Sequence, residues 1–283
     1  MDSWFLNAIL AMVAFGGTQA LFKLPAAKGY SKYVYSTLSF VFASLLSLLF
    51  FSKDIGFDAQ TITFGFIWGT AYALMVLLQM QILKRLDTSE SFPITSLGSH
   101  ILVVMIGVLF FNDILSALQI VALIATFLLI GFYNHANKHI TLSNGLIPLA
   151  TGIVLSSTLL KFTQKLGSIS TLAGDFIFWQ LFFASIASVL ILAFFKNKTL
   201  HARKMDGKLI AWSTLFGALN FLGTIAIVKA LSTGPFSLVY TINSFYILVS
   251  SIVAWRLFGE KLTRQKVLFI VLAIVVLALI KLG

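Results

Sequence analysis

Apolar segments of membrane-spanning length follow one another along almost the whole chain, and this pattern leaves few folds open. A helix needs about 20 mostly apolar residues to cross the hydrocarbon core of a bilayer. Ten such segments occur, and the gaps between them are too short for a separate folded domain. The pattern predicts an all-α integral membrane protein with ten transmembrane helices and any functional site inside the bilayer. The predicted spans are 3–22, 33–51, 62–83, 92–111, 115–133, 143–164, 171–195, 208–230, 236–257 and 263–282.

The composition agrees with a chain that lies mostly in lipid. Hydrophobic residues make up 59% of the 283 residues, charged residues only 10%, and the mean hydropathy is +0.99. A soluble domain carries about 25% charged residues. The amino terminus is Met1-Asp2-Ser3-Trp4 and has no basic region before the first span, so we interpret this span as a helix rather than a secretory signal. The absence of cysteine excludes disulfides, thiolate metal sites and cysteine nucleophiles.

Positive charge is concentrated in one set of loops. The net charge is +11, and fifteen of the 20 basic residues lie in or beside the loops after spans 1, 3, 5, 7 and 9, with four of the nine acidic residues. Basic loops mark the cytoplasmic face. The charge therefore predicts a multi-pass protein of the cell (inner) membrane with both termini on the non-cytoplasmic face. It also accounts for the high pI, and we expect no nucleic-acid partner.

Short sequence matches recur between the two halves at offsets of 141 to 147 residues. They are collinear, as expected for a duplication with small insertions. We predict a first five-helix repeat over 1–139 and a second over 140–283. Because five is odd, the second copy must be inverted in the membrane, a plan common in secondary transporters with a midplane substrate site. The matching segments are Phe42-Ala43-Ser44 with Phe183-Ala184-Ser185, Leu86-x-Thr88 with Leu231-x-Thr233, and Phe111-Asn112-Asp113 with Phe258-Gly259-Glu260.

The carboxy-terminal part resembles the EamA-like family of the drug/metabolite transporter superfamily. The resemblance rests on Lys229-Ala230-Leu231-Ser232-Thr233, on the segment from Leu257 to Thr263 with its Gly259-Glu260 turn, and on the apolar helix that follows. The ten-span layout extends it over the whole chain. It implies a cavity surrounded by spans 1–4 and 6–9, with spans 5 and 10 at the periphery. It also implies export or exchange of small metabolites, and it makes Glu260 a structural turn residue.

Three features depart from the family pattern. The first half carries Asn112-Asp113 where Gly-Glu is expected. Spans 4 and 9 lack an internal proline: Pro93 and Pro235 stand at the span starts, and Asn243 occupies the place expected for the second. The family commonly keeps its termini in the cytoplasm, whereas the loop charge favours the opposite orientation. An inverted repeat works either way up, so both orientations stay open.

Polar side chains deep in a span are costly and mark candidate sites. His100 lies near the middle of span 4, one turn after Ser96, where it would bind solute or carry a proton. Spans 3, 6, 7, 8 and 9 add further polar residues, and we expect this set to meet in one cavity with aromatic walls. Hydrogen bonding between helices is the alternative for any single residue. The predicted solute-binding residues are His100, Ser96, Tyr72, Asn220, Asn243, Tyr246, Trp179 and Ser157.

Two charged residues lie on either side of the short connection between spans 6 and 7. Lys161 is late in span 6 and Asp175 is early in span 7, so both are expected at similar depth. Intramembrane charges usually pair with each other, which predicts an ion pair. The alternative is a charged cavity mouth that selects zwitterions or anions.

The arrangement of charge also separates the function classes. All nine acidic residues lie in loops or near span ends. A proton-coupled exporter of cationic drugs needs a deep carboxylate, so the pattern favours a small polar or zwitterionic solute, amino-acid-like in the preferred interpretation. A carrier would move it by alternating access, through facilitation, exchange or proton-linked export.

Other functions make different demands on the residues. A membrane-embedded enzyme would need a metal cluster or an activated nucleophile, and we predict neither enzymatic activity, nor a metal, nor a cofactor. A lipid or lipid-linked-solute flippase, or a membrane assembly factor, is the alternative function. The expected partners are the small-molecule solute and membrane lipid, with a monomer and a homodimer equally open.

Overall fold

In the residues that it describes, the computed structural model is built from α-helices. It describes residues 3–84, 86, 88–136, 146–195, 205–261 and 263–283, with side chains described at these positions except 88–97, 131–136, 265 and 266. The helices are α1 (Ser3–Leu21), α2 (Leu24–Lys28), α3 (Lys32–Phe51), α4 (Ala59–Ile82), α5 (Thr88–Phe110), α6 (Ala117–Ala136), α7 (Ile147–Ser170), α8 (Ala173–Phe194), α9 (Gly207–Thr233), α10 (Phe236–Ser244), α11 (Tyr246–Phe258) and α12 (Arg264–Leu282).

Length and hydropathy identify a multi-pass membrane protein. Among the described residues, six helical stretches are long and apolar enough to cross a bilayer, and α5, α6 and α12 contain shorter apolar stretches. Helix α7 is 24 residues long, and Lys161 and Lys165 interrupt its apolar pattern. Large apolar side chains face outward, among them Leu49 at 74% and Leu128 at 68% exposure, as expected for a lipid-facing surface. The all-helical membrane fold is thus confirmed, while the count of ten spans remains a prediction.

Polar residues fix several helix boundaries. Asp58 and Asp206 begin α4 and α9, where their carboxylates accept hydrogen bonds from the backbone N–H groups of Thr61 at 2.9 Å and Leu209 at 2.8 Å. These bonds satisfy amide groups that lack a partner in the first helical turn. Gly259 ends α11 with φ +70°, a left-handed conformation that glycine adopts without strain. Local capping hydrogen bonds and a glycine therefore determine where these helices begin and end.

The helices of the two predicted repeats pack against one another in matching pairs. Helix α4 packs on α8 as α9 packs on α3, and α1 packs on α9 as α7 packs on α4. Helices α6 and α12 pack against each other, away from this core. That position agrees with the periphery expected for spans 5 and 10.

Glycines allow the closest of these approaches. A Cβ atom on Gly69 would lie 2.6 Å from the backbone nitrogen of Ala184 and 2.8 Å from the Cβ atom of Phe183. A Cβ atom on Gly217 would lie 3.1 Å from the backbone nitrogen of Ala43 and 3.2 Å from the Cβ atom of Phe42. Each glycine thus lets the backbones of two helices approach closely, which is typical of helix packing in membranes.

Candidate functional site

A narrow cavity lies between the two halves of the helical core. Its volume is about 70 Å³, which is room for a few water molecules and far less than a drug-sized ligand site. Both predicted repeats line it, through α1, α4 and α5 on one side and α7, α10 and α11 on the other. The lining residues are Phe15, Gln19, Trp68, Tyr72, Met75, Gln79, Ser99, Ile153, Ser157, Leu160, Lys161, Gln164, Tyr240, Asn243 and Tyr246.

Lys161 supplies a cation to this cavity. Its Nζ atom donates a hydrogen bond to Ser99 Oγ at 2.9 Å and lies 5.5 Å from the centre of the Tyr240 ring. The Tyr240 hydroxyl in turn donates to Gln164 Oε1 at 2.9 Å. The ammonium thus rests against a hydroxyl and an aromatic ring, which attracts a cation through its negative face.

A break in the ninth predicted span borders the cavity. Helix α10 ends at Ser244 and α11 begins at Tyr246, with Phe245 at φ −73° and ψ 4° between them. Asn243 and Tyr246 lie on either side of the break and line the cavity. Irregular backbone at membrane depth is tolerated where it is covered by protein or lines a cavity. The break forms without a proline, and Asn243, at the place where the family resemblance leads one to expect it, lies two residues before Phe245.

Tyr72 and Asn220 connect α4 to α9 behind the cavity wall. The Tyr72 hydroxyl donates to Asn220 Oδ1 at 2.7 Å. Tyr72 lines the cavity, whereas Asn220 is fully buried. Asn220 therefore positions a lining residue and is not itself part of the cavity wall.

His100 lies in the core but not against the cavity. Its Nε2 atom is 3.3 Å from Thr241 Oγ1, and its ring centre is 5.0 Å from that of Phe127 in α6. The residue before it, Ser99, faces the cavity instead, because one residue along a helix turns the side chain by about 100°. The side chain of Ser96, the residue predicted to act with His100, is outside the described residues.

The predicted ion pair between Lys161 and Asp175 is wrong for the described structure. Lys161 points into the cavity, whereas Asp175 lies at the start of α8 beside Gly56 and Trp179. The indole N–H of Trp179 donates to the Gly56 carbonyl at 2.9 Å. Asp175 and Trp179 thus fasten α8 to the connection between α3 and α4, and neither lines the cavity. Similar depth along two spans did not imply that the side chains face each other.

Two acidic residues at helix connections hold the predicted repeats together. Glu260 Oε1 lies 2.7 Å from Lys23 Nζ, which follows α1. Asp113 accepts hydrogen bonds from the backbone N–H of Phe236 at 3.2 Å and of Ser237 at 2.7 Å, at the start of α10. Each acid therefore binds the other half of the chain, which gives Glu260 more than a role in a turn.

A lysine accompanies each of these acids. Lys165 Nζ donates to the carbonyls of Leu231 at 2.7 Å and Gly234 at 3.0 Å, directly before α10, and Asp113 attracts its charge. Lys165 follows Lys23 by 142 positions, close to the repeat offset of 141. Asn112, with φ +51°, adopts the left-handed conformation of Gly259, so Asn112-Asp113 shares the backbone shape of Gly259-Glu260. Asparagine is the residue after glycine that best tolerates this conformation.

Some of these residues lay outside the predicted site although a sequence signal was present. Gln19 precedes Lys161 by the same 142 positions that separate Lys23 from Lys165, and both members of the pair line the cavity. The repeat offset applied to span 6 would have found Gln19. Within the part of the chain that is described, no three histidine, aspartate or glutamate residues are arranged as a metal site.

Two comparisons with known proteins found a match, one with a protein family and one with a solved structure. The sequence profile of the EamA-like transporter family matches residues 143–282. A solved structure, described only as the crystal structure of a protein, superposes on 100% of this chain and 97% of its own with a TM-score of 0.77. At 9% sequence identity this likeness shows the fold alone. No curated protein sequence matches the chain.

Proposed function

Since the chain belongs to the EamA-like transporter family of the drug/metabolite transporter superfamily, we propose that it is a secondary carrier working by alternating access. The family consists of membrane transporters of small solutes and not of enzymes. The proposed solute is a small polar or zwitterionic metabolite, with amino-acid-like solutes favoured. The observation that carries the proposal is the central cavity, which both predicted repeats line with polar and aromatic side chains.

The matched helix contacts support an inverted repeat of five and five helices. Gly69 meets the backbone of the Phe183-Ala184 segment, and Gly217 meets that of Phe42-Ala43. These two segments are themselves partners in the sequence repeat. An inverted pair of repeats produces such reciprocal contacts across the interface between its halves.

The acid–lysine clusters are the proposed gates. In a ten-span layout, Lys23 and Glu260 lie at one end of the bundle, and Lys165 and Asp113 lie at the other. Each cluster joins the two repeats, so opening one end requires its contacts to break. The Lys23–Glu260 pair is an ion pair in this structure, whereas Lys165 binds carbonyl groups near Asp113. Alternation between two such arrangements would expose the cavity to one side at a time.

Counterflow in proteoliposomes tests the carrier function. Vesicles containing the purified protein would be loaded with unlabelled amino acids, amines, nucleosides or sugars, and uptake of the matching tracer measured. We expect protein-dependent uptake of at least one polar solute, and a reduced rate with Asn243→Ala, which changes the cavity wall. Lys28→Ala, at an exposed position, serves as the matched surface control.

The same vesicles also test the alternative function of a lipid flippase. Absence of uptake for every solute, together with protein-dependent transfer of labelled phospholipid between leaflets, would overturn the proposal in favour of a lipid flippase. Uptake that Asn243→Ala leaves unchanged would keep the carrier and reject the cavity as its site.

A further inference from the structure

We infer that Lys161 forms a carboxylate-binding subsite in the central cavity, so that the solute is a small monocarboxylate. The subsite presupposes the carrier function proposed above and names the group by which that carrier recognises its solute. α-Amino acids and α-hydroxy acids both carry this group, and the tests below separate them.

The ammonium of Lys161 has unused capacity for an anion. A lysine ammonium has three donors, and the structure gives this one a single hydrogen bond, to Ser99. Within the described residues it has no acidic partner, and none of the described cavity-lining residues is an aspartate or glutamate. A cation inside a membrane protein usually pairs with an opposite charge. A bound carboxylate would supply that charge.

Lys165, one turn later on the same helix, shows what a structural lysine looks like here. It is buried, it donates to the carbonyls of Leu231 and Gly234, and it is not part of the cavity wall. Lys161 is only partly buried, because it faces the cavity. The contrast between the two lysines separates a residue that holds helices together from one that is available to a ligand.

Further polar atoms of the cavity wall complement an amino or hydroxy acid. Two donors, Trp68 Nε1 and Gln164 Nε2, have no hydrogen-bond partner in the described part of the chain. The acceptor Asn243 Oδ1 also has none there. All three residues are more than nine-tenths buried and line the cavity. The two donors can donate hydrogen bonds to carboxylate oxygens, and the Asn243 side-chain carbonyl can accept one from an ammonium or hydroxyl group.

The single cation sets the charge of the ligand. The position that matches Lys161 in the first predicted repeat is the neutral Gln19, so the described cavity wall carries one positive charge and not two. A phosphate dianion is bound by several cations or by bidentate arginine, neither of which lines this cavity among the described residues. One negative charge is therefore the expected match.

Ligand-induced thermal stabilisation of the full-length protein in detergent tests the subsite. The probes are alanine with alaninamide and lactate with lactamide, together with larger α-amino and α-hydroxy acids and their amides. For at least one pair we expect the carboxylate to bind roughly tenfold or more tightly than its amide, since hydrogen bonds to charged groups are strong. Preference for alanine over lactate would identify a zwitterion, and the reverse a simple anion.

Variants assign the preference to Lys161. Lys161→Gln, which installs the residue of the first repeat, should reduce carboxylate affinity to that of the amide and leave amide affinity unchanged. Lys161→Arg keeps the charge and should retain a preference. Lys229→Gln removes a charge at an exposed position and should behave like the wild type. Should the glutamine variant fold poorly, Ser99→Ala tests the same contact, and we expect it to weaken carboxylate binding only.

The contrary results are distinct for the two proposals. Equal binding of carboxylates and amides, no carboxylate binding, or a preference that survives Lys161→Gln would each overturn the subsite. Binding of a carboxylate that depends on Lys161, without counterflow of that solute, would instead overturn the carrier function and leave the subsite in place.

Discussion

The ammonium of Lys23 and the carboxylate of Glu260, separated by 237 positions in the sequence, lie 2.7 Å apart. Their side chains are only 16% and 5% exposed. Exposed ion pairs contribute about 0.2–1 kcal/mol, whereas hydrogen bonds to charged groups in less exposed places contribute about 1.5–3 kcal/mol. The pair is therefore strong enough to favour a closed conformation at its end of the bundle, as the proposed gate requires.

Breaking this pair should open the cavity at that end. We expect Lys23→Met to speed the labelling of a cysteine placed at Ser157 by a membrane-impermeant maleimide, by about tenfold for a loss of 1.4 kcal/mol. The chain has no cysteine of its own, so labelling has no background. Lys28→Met, at an exposed position in the next helix, is the control. The charge exchange Lys23→Glu with Glu260→Lys should restore slow labelling, and unchanged labelling in Lys23→Met would refute the gate.

The paired left-handed residues make a symmetrical prediction. Asn112→Gly and Gly259→Asn should each change stability by less than about 0.5 kcal/mol, because both residue types accept φ near +50° to +70°. Asn112→Val and Gly259→Val should each cost about 1–3 kcal/mol, the range for strained backbone. Thermal unfolding in detergent measures all four variants. If neither valine variant lost stability, the turns would be able to change conformation without cost, and the prediction would be wrong.

The close helix contacts should be intolerant of one methyl group. Gly69→Ala and Gly217→Ala place a Cβ atom 2.6 Å from a backbone atom of Ala184 and Ser39 respectively, so we expect a loss of about 1–3 kcal/mol in each. Gly207→Ala is the matched control, because a Cβ atom there meets nothing within 4 Å. A comparable loss in Gly207→Ala would assign the effect to the substitution type rather than to helix packing.

The hydrogen bond from Tyr72 to Asn220 should be revealed by a double-mutant cycle. Tyr72→Phe leaves the fully buried Asn220 amide without its donor, which costs about 1–3 kcal/mol. Adding Asn220→Leu removes the unpartnered group, so the double variant should be more stable than the sum of the single losses predicts. Unfolding free energies of the four proteins give the coupling. Strict additivity would show that the bond contributes nothing.

Neighbouring residues on α5 should separate stability from solute binding. His100→Ala removes a side chain packed beside Phe127, so we expect a stability loss of about 2–4 kcal/mol from the cavity left behind. Its KM for the tracer found by counterflow should stay close to wild type. Ser99→Ala should do the opposite, because Ser99 contacts Lys161 in the cavity. A raised KM in His100→Ala with normal stability would show that His100 takes part in solute binding after all.

The depth of polar residues in the membrane is readable from the sequence, but their direction is not. Counting along spans 3 and 9 was enough to expect Tyr72, Asn243 and Tyr246 near one another, and all three line the cavity. On α5, Ser99 and His100 have nearly the same depth and differ by the rotation of one residue. Which of them faces the cavity depends on how α5 packs against α7 and α10. Because α5 carries polar residues on several sides, the spacing of polar residues in its sequence does not indicate which side that is.

The family likeness could be predicted from the short Gly259-Glu260 turn, although the corresponding turn in the first half has a different sequence. Asn112-Asp113 differs from Gly259-Glu260 in both letters, yet it shares the left-handed residue and the acid that contacts the other repeat. The pairing of Lys161 was misjudged for a different reason. Asp175 was the nearest acid along the chain, but its helix begins beside Gly56, and an ion pair needs a shared direction as well as a shared depth.

The contrast between Gln19 and Lys161 has a consequence for how such a protein diversifies. The Lys23–Glu260 pair at one end of the bundle has a counterpart in Lys165 and Asp113 at the other, so in the proposed mechanism a change in either cluster affects the movement of both halves. The cavity wall is not bound by the same requirement, since Gln19 and Lys161 occupy matching positions of the two predicted repeats and already differ. In the carrier that we propose, one copy of the predicted repeat can therefore change to accept a new solute while the residues that join the ends of the bundle stay the same.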